Sequence, residues 1–405
     1  MPPFSRLELW DEEPRNSLCF ASGPIIIGAG PSGLAVAACL RMFKIPSLIL
    51  EREDCIASLW KYNTYDRIHL HIPKQYCDLP FRPIPKHYPT YLSGAQFLDY
   101  LNDYASWFNI KPRFNERVMS AKFDERSQLW RVLTMGTSKA NREEVREYVG
   151  HWLIVASGEN AEEVKPNIEN IHNFKGKICH SRSYKNGRDY AGKKVCVVGC
   201  GNSGMEIALD LLKSNAIPSI VVRNKVHVLP QEILGKATFA VIQGLLRIAP
   251  LWLADRILLF CAWCKWKNTA KWGLPRPKEG PIAYKIHTRR TPVLDIGTLC
   301  LVKDGSIEVH PAIESFTSHG ANFCDGHYKE YDAIILATGY RSNVKDWLIG
   351  EDDQFDSHGL PKSLPVDGLK GKNGIYVVGM SGRGLLGSKL EAQQIAQHIK
   401  TQFGY

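Results

Sequence analysis

The chain has 405 residues, enough for two or three domains of ordinary size. Hydrophobic residues at 44% and charged residues at 23% are globular values, which excludes a disordered or fibrous chain. The net charge is +10, yet no long run of like charge occurs and Arg289-Arg290 is the densest basic spot. That excludes a nucleic-acid-binding stripe, whereas a diffuse positive field suits anionic small molecules such as dinucleotides and carboxylates. Met1 to Gly23 is acidic and lacks the apolar centre of a signal peptide. The eleven cysteines are odd in number and scattered, which reads as reduced thiols in a cytoplasmic protein. The longest apolar stretch, Phe239 to Cys264, is interrupted by Arg247, Pro250, Asp255 and Arg256 and argues against a transmembrane span. Peripheral contact with a membrane such as the endoplasmic reticulum stays open, as does the oligomeric state.

In chain order, the first element is a β-branched run, Ile25 to Ile27, leading into Gly28-Ala29-Gly30-Pro31-Ser32-Gly33, with a helical pattern from Leu34 to Met42. A second strand, from Ser47, ends on Glu51. Glycines spaced Gly-x-Gly-x-x-Gly between a strand and a helix, with an acidic residue roughly 20 positions on, make a dinucleotide fingerprint. Gly28 permits the tight turn, Gly30 lets a pyrophosphate approach the backbone, and Gly33 allows close helix–strand packing. The helix amino terminus then faces the phosphates, and Glu51 accepts hydrogen bonds from a ribose. The alternating runs Arg117 to Phe123 and Gln128 to Leu133 read as a hairpin. Trp152 to Gly158 reads as a buried strand ending in a small residue, a hydroxyl residue and glycine.

The pattern then recurs. Lys194 to Val198 leads into Gly199-Cys200-Gly201-Asn202-Ser203-Gly204, followed by a helical pattern from Met205 to Lys213. Ser306 to Phe316 reads as a second meander, and Ala333 to Gly339 matches Trp152 to Gly158. The second strand of this copy ends in Arg223, 19 positions after Gly204, where the first ends in Glu51, 18 positions after Gly33. A cation there suits the 2′-phosphate of NADP; the alternative is a solvated arginine. One dinucleotide met by a glutamate and one met by an arginine read as FAD plus NADPH, with hydride passing from nicotinamide to flavin. Asn373 to Gly379 adds one more buried strand, and a glycine-rich Gly382 to Gly387 precedes a helix from Ser388 to Lys400.

The fold class is therefore α/β, with two Rossmann-like dinucleotide-binding domains and the NADPH domain inserted in the FAD domain. Residues 1–23 form an extension, 24–185 the first part of the FAD domain, 186–330 the NADPH domain, and 331–405 the return segment of the FAD domain. No metal site is read. Cys261-Ala-Trp-Cys264 is either a redox pair or two core thiols. In low-molecular-weight thioredoxin reductases the redox pair precedes the second fingerprint, and this one follows it, which favours core thiols.

Phe174-Lys-Gly-Lys-Ile-Cys-His180-Ser-Arg-Ser-Tyr184 lies just before the second fingerprint, and Ala337-Thr-Gly-Tyr340 follows the last strand of that copy. Both resemble motifs of the class B flavin-containing monooxygenases. More narrowly, the chain resembles the plant YUCCA flavin monooxygenases. The matching segments are Ser58-Leu-Trp-Lys61, Thr64-Tyr-Asp-Arg67, Pro73-Lys-Gln-Tyr-Cys-Asp-Leu-Pro80, Gly158-Glu-Asn-Ala161, Val198 to Glu206, Val221-Val-Arg-Asn224 with Val226-His-Val-Leu229, and Gly384-Leu-Leu-Gly387. The resemblance implies oxidative decarboxylation of an aromatic 2-oxo acid, indole-3-pyruvate, to indole-3-acetate (auxin), with NADPH and O₂ as co-substrates and oxygen adding at the flavin C4a carbon. It places Trp60 with the FAD residues and His71 over the flavin, where animal members carry an asparagine. His71 is read either as a partner of the activated oxygen or as a core histidine, and His180 and Tyr184 as braces of the interdomain hinge. Ser157 stands where the family usually has threonine, and Met380 where many flavoenzymes have an aspartate. Trp252, Trp263, Trp266 and Trp272 have three readings: an indole pocket, a membrane-facing surface, or core packing. Oxygenation of nitrogen or sulfur, and a non-catalytic NADPH-sensing flavoprotein, are the competing functions.

Overall fold

The computed structural model describes residues 18–138, 144–362 and 371–403. Most of the acidic extension, on which the signal-peptide reading rests, lies outside the described residues, as do the last two positions. The chain divides into two compact units: residues up to Asn63 with Lys74–Glu162 and Tyr340 onward, and Thr64–Pro73 with Glu163–Gly339.

The first unit is built on a four-stranded parallel sheet in the order Ile375–Val377, Leu153–Val155, Ile25–Ile27, Leu48–Leu50. Each strand is a run of three buried residues, all apolar or tyrosine, as expected of a parallel sheet covered on both faces. The Pro31–Met42 helix carries proline at its first position, where the missing N–H costs nothing and φ is preset. The closing helix packs against it. This helix runs over Gly384–Gln402, one turn earlier than the sequence pattern suggests. Tertiary packing there overrides the poor helix propensity of Gly384 and Gly387. The expected hairpin is present as Glu116–Asp124 paired antiparallel with Leu129–Gly136.

The second unit is a five-stranded parallel sheet in the order Glu308–His310, Ile217–Val221, Lys194–Val198, Ala333–Leu336, Lys177–His180. The predicted meander over Ser306 to Phe316 is split. Glu308–His310 joins the main sheet, and only Ile313–Phe316 pairs with Gly320–Phe323 and Tyr328–Glu330. Pro311, which lacks an N–H and fixes φ, separates the two pieces.

The unit boundaries also differ from those read in the sequence. Residues 163–185 and 331–339 belong to the second unit, because Ala333–Leu336 pairs in parallel with Lys194–Val198 and carries Lys177–His180 on its other edge. Thr64–Pro73 joins it as well, through Tyr65, whose hydroxyl donates to Glu206 at 2.8 Å. Neither switch leaves a mark in local periodicity, since both depend on contacts distant in sequence.

Candidate cofactor sites

In a parallel sheet the loops that follow the strands gather at its carboxyl edge, where α/β proteins bind ligands. In the first unit these loops carry Gly28 to Gly33, Glu51, Ser157 and Gly379 to Ser381. Gly28 has φ +107°, and a Cβ there would lie 2.6 Å from the Ala156 carbonyl oxygen. A Cβ on Gly33 would lie 2.0 Å from the Gly28 oxygen, whereas one on Gly30 meets nothing within 4 Å. Gly28 and Gly33 are thus fixed by the fold itself, while the space over Gly30 is open. Gly30 caps the helix without a side-chain hydrogen bond, so no capping side chain competes with an anion for the first-turn N–H groups.

Glu51 is buried, and its carboxylate accepts hydrogen bonds from Ala29 N at 2.8 Å and Glu53 N at 3.1 Å. Burial pushes its pKa above the usual carboxylate range. Ala57 N donates to the Ala29 oxygen, tying the Ser58–Tyr62 helix to the glycine turn, and Trp60 of that helix packs edge-on to Phe97 with ring centroids 4.7 Å apart. Ser32 Oγ lies 2.9 Å from Ser388 Oγ. The Ser157 and Ser381 hydroxyls are buried with no hydrogen-bonding partner among the described residues. Two uncapped helix amino termini, an open glycine turn and two orphaned hydroxyls at one sheet edge fit a dinucleotide. Ser381 was not singled out from the sequence; its position just after a buried strand was the only signal.

The second unit repeats this construction. Gly199 has φ +118°, with a Cβ position 2.4 Å from the Ala337 oxygen; that of Gly204 is 2.0 Å from the Gly199 oxygen, and that of Gly201 is open. Gly201 caps the Asn202–Lys213 helix without a side-chain bond. Asn202 is fixed by accepting from Leu294 N at 2.9 Å, and Cys200 is partly buried, its thiol pushed up to about 11. Ser203 completes the turn.

The strand ends differ between the copies in a way that residue counting misjudged. Gly28 N donates to Leu50 O and Gly199 N to Val221 O; Glu51 N donates to Arg113 O and Val222 N to His310 O. The position in the second copy that corresponds to Glu51 is therefore Val222, and exposed Arg223 lies one residue beyond it. The second site has no carboxylate where the first has one, and a free cation stands next door.

His71 belongs to the Thr64–Pro73 segment of the second unit, and burial lowers its pKa to about 4, so it is neutral at physiological pH. Within the same unit Tyr184 OH donates to Asp210 at 2.6 Å, Gly187 N donates to the same carboxylate at 2.9 Å, and His180 Nδ1 accepts from Arg182 N at 3.2 Å. Those contacts tie Tyr184 to the Asn202–Lys213 helix and fix the His180 ring within its own turn, all inside one unit. Sequence reasoning missed Glu206, 1% exposed on the Asn202–Lys213 helix, with the Arg67 Nε 3.6 Å away. Nothing in its local pattern marks it as a buried carboxylate.

Cys261 is half-buried and Cys264 exposed, so neither is the buried core thiol that the sequence suggested. Among the four tryptophans the core reading holds for Trp266 and for Trp272, which packs on the core, while Trp252 and Trp263 are exposed. The Cys261→Ser/Cys264→Ser variant is expected to keep full turnover, because neither thiol lies at a sheet edge that carries a glycine turn. A loss above about tenfold in steady-state rate would restore the redox-pair reading.

The fold and both sites define a flavoprotein-type α/β architecture with two dinucleotide turns. The flavin-binding monooxygenase-like family model matches residues 24–345. The probable indole-3-pyruvate monooxygenase YUCCA8 of Arabidopsis thaliana is 48% identical over 97% of this chain and 92% of its own. The chain belongs to the flavin-binding monooxygenase-like family, among the YUCCA-type relatives. A flavin-containing monooxygenase from Stenotrophomonas maltophilia has a similar structure, with a TM-score of 0.70 at 19% identity over 94% of this chain and 98% of that one. A bacillithiol disulfide reductase from Bacillus cereus is also similar, with a TM-score of 0.67 at 19% identity over 94% and 99%. The fold is thus shared by monooxygenases and a disulfide reductase, and fold alone does not choose between them.

Proposed function

We propose that this chain is an NADPH- and O₂-dependent indole-3-pyruvate monooxygenase that forms indole-3-acetate. The observation that carries this is near-half identity to indole-3-pyruvate monooxygenases along almost the whole chain. The balanced reaction consumes indole-3-pyruvate, O₂, NADPH and a proton, and releases indole-3-acetate, CO₂, NADP⁺ and water. Bound FAD and NADPH supply hydride, two-electron storage and the activation of oxygen.

The residues of this chain supply binding and placement. Gly28, Ala29, Gly30, Pro31, Ser32 and Gly33 hold the FAD pyrophosphate against the helix amino terminus, with Glu51 on the ribose and Trp60 beside the turn. The orphaned Ser157 and Ser381 hydroxyls offer hydrogen bonds to the same dinucleotide. Gly199, Cys200, Gly201, Asn202, Ser203 and Gly204 hold the NADPH pyrophosphate. Val222 puts no negative charge at the ribose, and Arg223 pairs with the 2′-phosphate. His71, held neutral, offers a hydrogen bond at the reacting oxygen without adding charge. A cytoplasmic placement is in keeping with Cys39, Cys77 and Cys196, which pack in the interior as small hydrophobes.

The function is tested by reducing the enzyme anaerobically with NADPH, then adding O₂ with indole-3-pyruvate, an amine or a thioether, and identifying products by mass spectrometry. Indole-3-acetate with CO₂ is expected; oxygenated amine or sulfoxide alone would reassign the substrate class. Arg223→Gln is expected to raise KM for NADPH about tenfold or more and leave NADH unchanged, since a charge-assisted hydrogen bond contributes about 1.5–3 kcal/mol. Equal losses with both nucleotides would remove Arg223 from the site.

A further inference from the structure

The Leu251–Trp266 helix is apolar nearly all round, a composition that normally means burial on every side. Its inner face is buried: Ala254 is inaccessible to solvent, and Leu258, Ala262 and Trp266 pack into the core of the second unit. Its outer face carries Trp252, Arg256, Phe260, Trp263 and, just past the helix, Lys267, at spacings of three and four residues that align them in one row. The rings in this row are exposed, at 58% for Trp252, 63% for Phe260 and 49% for Trp263. Phe260 and Trp263 stack with centroids 6.4 Å apart. The Arg256 guanidinium lies 5.5 Å from the Trp252 ring, and the Lys267 ammonium 4.1 Å from that of Trp263. The preceding helix, Thr238–Ile248, ends beside it in sequence with Arg247 and an 85% exposed Ile248.

We propose that this row and the Ile248 end of the preceding helix dock the protein peripherally on an anionic lipid surface. Charge selects that occupant. Between Ile233 and Lys278 there are eight Lys or Arg residues, all exposed but the partly buried Arg276, and one acidic residue, Asp255. Asp255 is buried and already accepts from Ile282 N at 2.7 Å and Ala283 N at 3.1 Å, so it does not offset the surface charge. A face that alternates indole and phenyl rings with cations matches a bilayer interface, where rings reach the acyl boundary and cations meet phosphates. At about 1.5 Å per residue the helix is roughly 24 Å long. No helix among the described residues is long and apolar enough to cross a membrane, so the helix lies in the surface plane. The proposal is independent of the reaction assigned above.

Flotation of the full-length, flavin-loaded protein with phosphatidylcholine vesicles, with and without phosphatidylserine, tests this. The wild type is expected to float with the anionic vesicles, with a blue-shifted tryptophan emission, and to dissociate as salt rises. Trp252→Ser/Phe260→Ser/Trp263→Ser is expected to lower the partition coefficient at least about tenfold at unchanged flavin content and turnover. Arg247→Glu/Arg256→Glu/Lys267→Glu is expected to abolish the preference for phosphatidylserine. Wild-type protein that floats with neither vesicle overturns the proposal, as does triple variants binding as the wild type does. A change in oligomeric size in the ring variant without any vesicle binding would assign the face to a second copy. A raised KM for indole-3-pyruvate with vesicle binding intact would assign it to the substrate.

Discussion

Gly30→Ala is expected to purify as a folded but colourless protein, with flavin content and turnover both reduced by at least about a hundredfold. The physical reason is the contrast between neighbouring glycines. A methyl on Gly30 meets no protein atom within 4 Å, and its φ of −74° is ordinary for any residue. The fold therefore loses no more than about 1 kcal/mol, the scale of replacing a glycine helix cap by alanine. The added methyl fills the space through which a pyrophosphate reaches the helix amino terminus. Gly33→Ala differs, because its methyl would sit 2.0 Å from the Gly28 carbonyl oxygen. Backbone must shift there, and overpacking of this kind costs about 1–3 kcal/mol or more. Gly33→Ala is thus expected to be destabilised with or without flavin, and Gly30→Ala only in its ability to hold it. Thermal unfolding of flavin-free samples separates the two. A yellow Gly30→Ala protein, or equal destabilisation of both variants, would mean the turn is merely structural.

That pair also shows which parts of the molecule were legible in the sequence. Both glycine turns could be read because the constraint is local: strand, turn and helix are contiguous, and only glycine tolerates φ near +110° with a carbonyl oxygen closing in. The parallel sheets followed from the apolar runs and from the recurrence of the whole pattern. Register was not legible. Glu51 and Arg223 stand at nearly equal distances from their glycines, yet the backbone hydrogen bonds at each strand end make Val222, not Arg223, the position equivalent to Glu51. A one-residue offset in a strand exchanges faces, so counting to within one position cannot assign a side chain. The unit boundaries failed for a related reason. Lys177–His180 looks like any short strand, and only the ladder that joins it through Ala333–Leu336 to Lys194–Val198 assigns it to the second unit. The exposed row Trp252, Phe260 and Trp263 was equally hidden, since an all-apolar helix does not say which face stays bare.

The second large effect concerns Glu206. It lies two residues beyond the last glycine of the second turn, 1% exposed, accepting from Tyr65 OH at 2.8 Å with the Arg67 Nε at 3.6 Å. Burial raises its pKa from 4.5 to about 7; the Tyr65 hydrogen bond and the Arg67 charge only partly oppose that rise. Because the folded value lies above the unfolded one, the folded state binds more protons between about pH 4.5 and 7, so stability falls as pH rises through that window and levels off above it. At about 1.4 kcal/mol per unit, the carboxylate costs the fold roughly 3 kcal/mol at pH 8 compared with pH 4. Glu206→Gln keeps an oxygen to accept from Tyr65 and removes the buried charge. Its stability relative to wild type is therefore expected to rise by up to about 3 kcal/mol between pH 5 and pH 8. Taking the difference between variant and wild type cancels the other titrating groups, including Glu51 and Asp295, whose carboxyls burial also raises. Denaturant unfolding at the two pH values reads this directly. If the two proteins keep a constant difference across that range, Glu206 is charged at both ends and the Arg67 guanidinium, not burial, governs it.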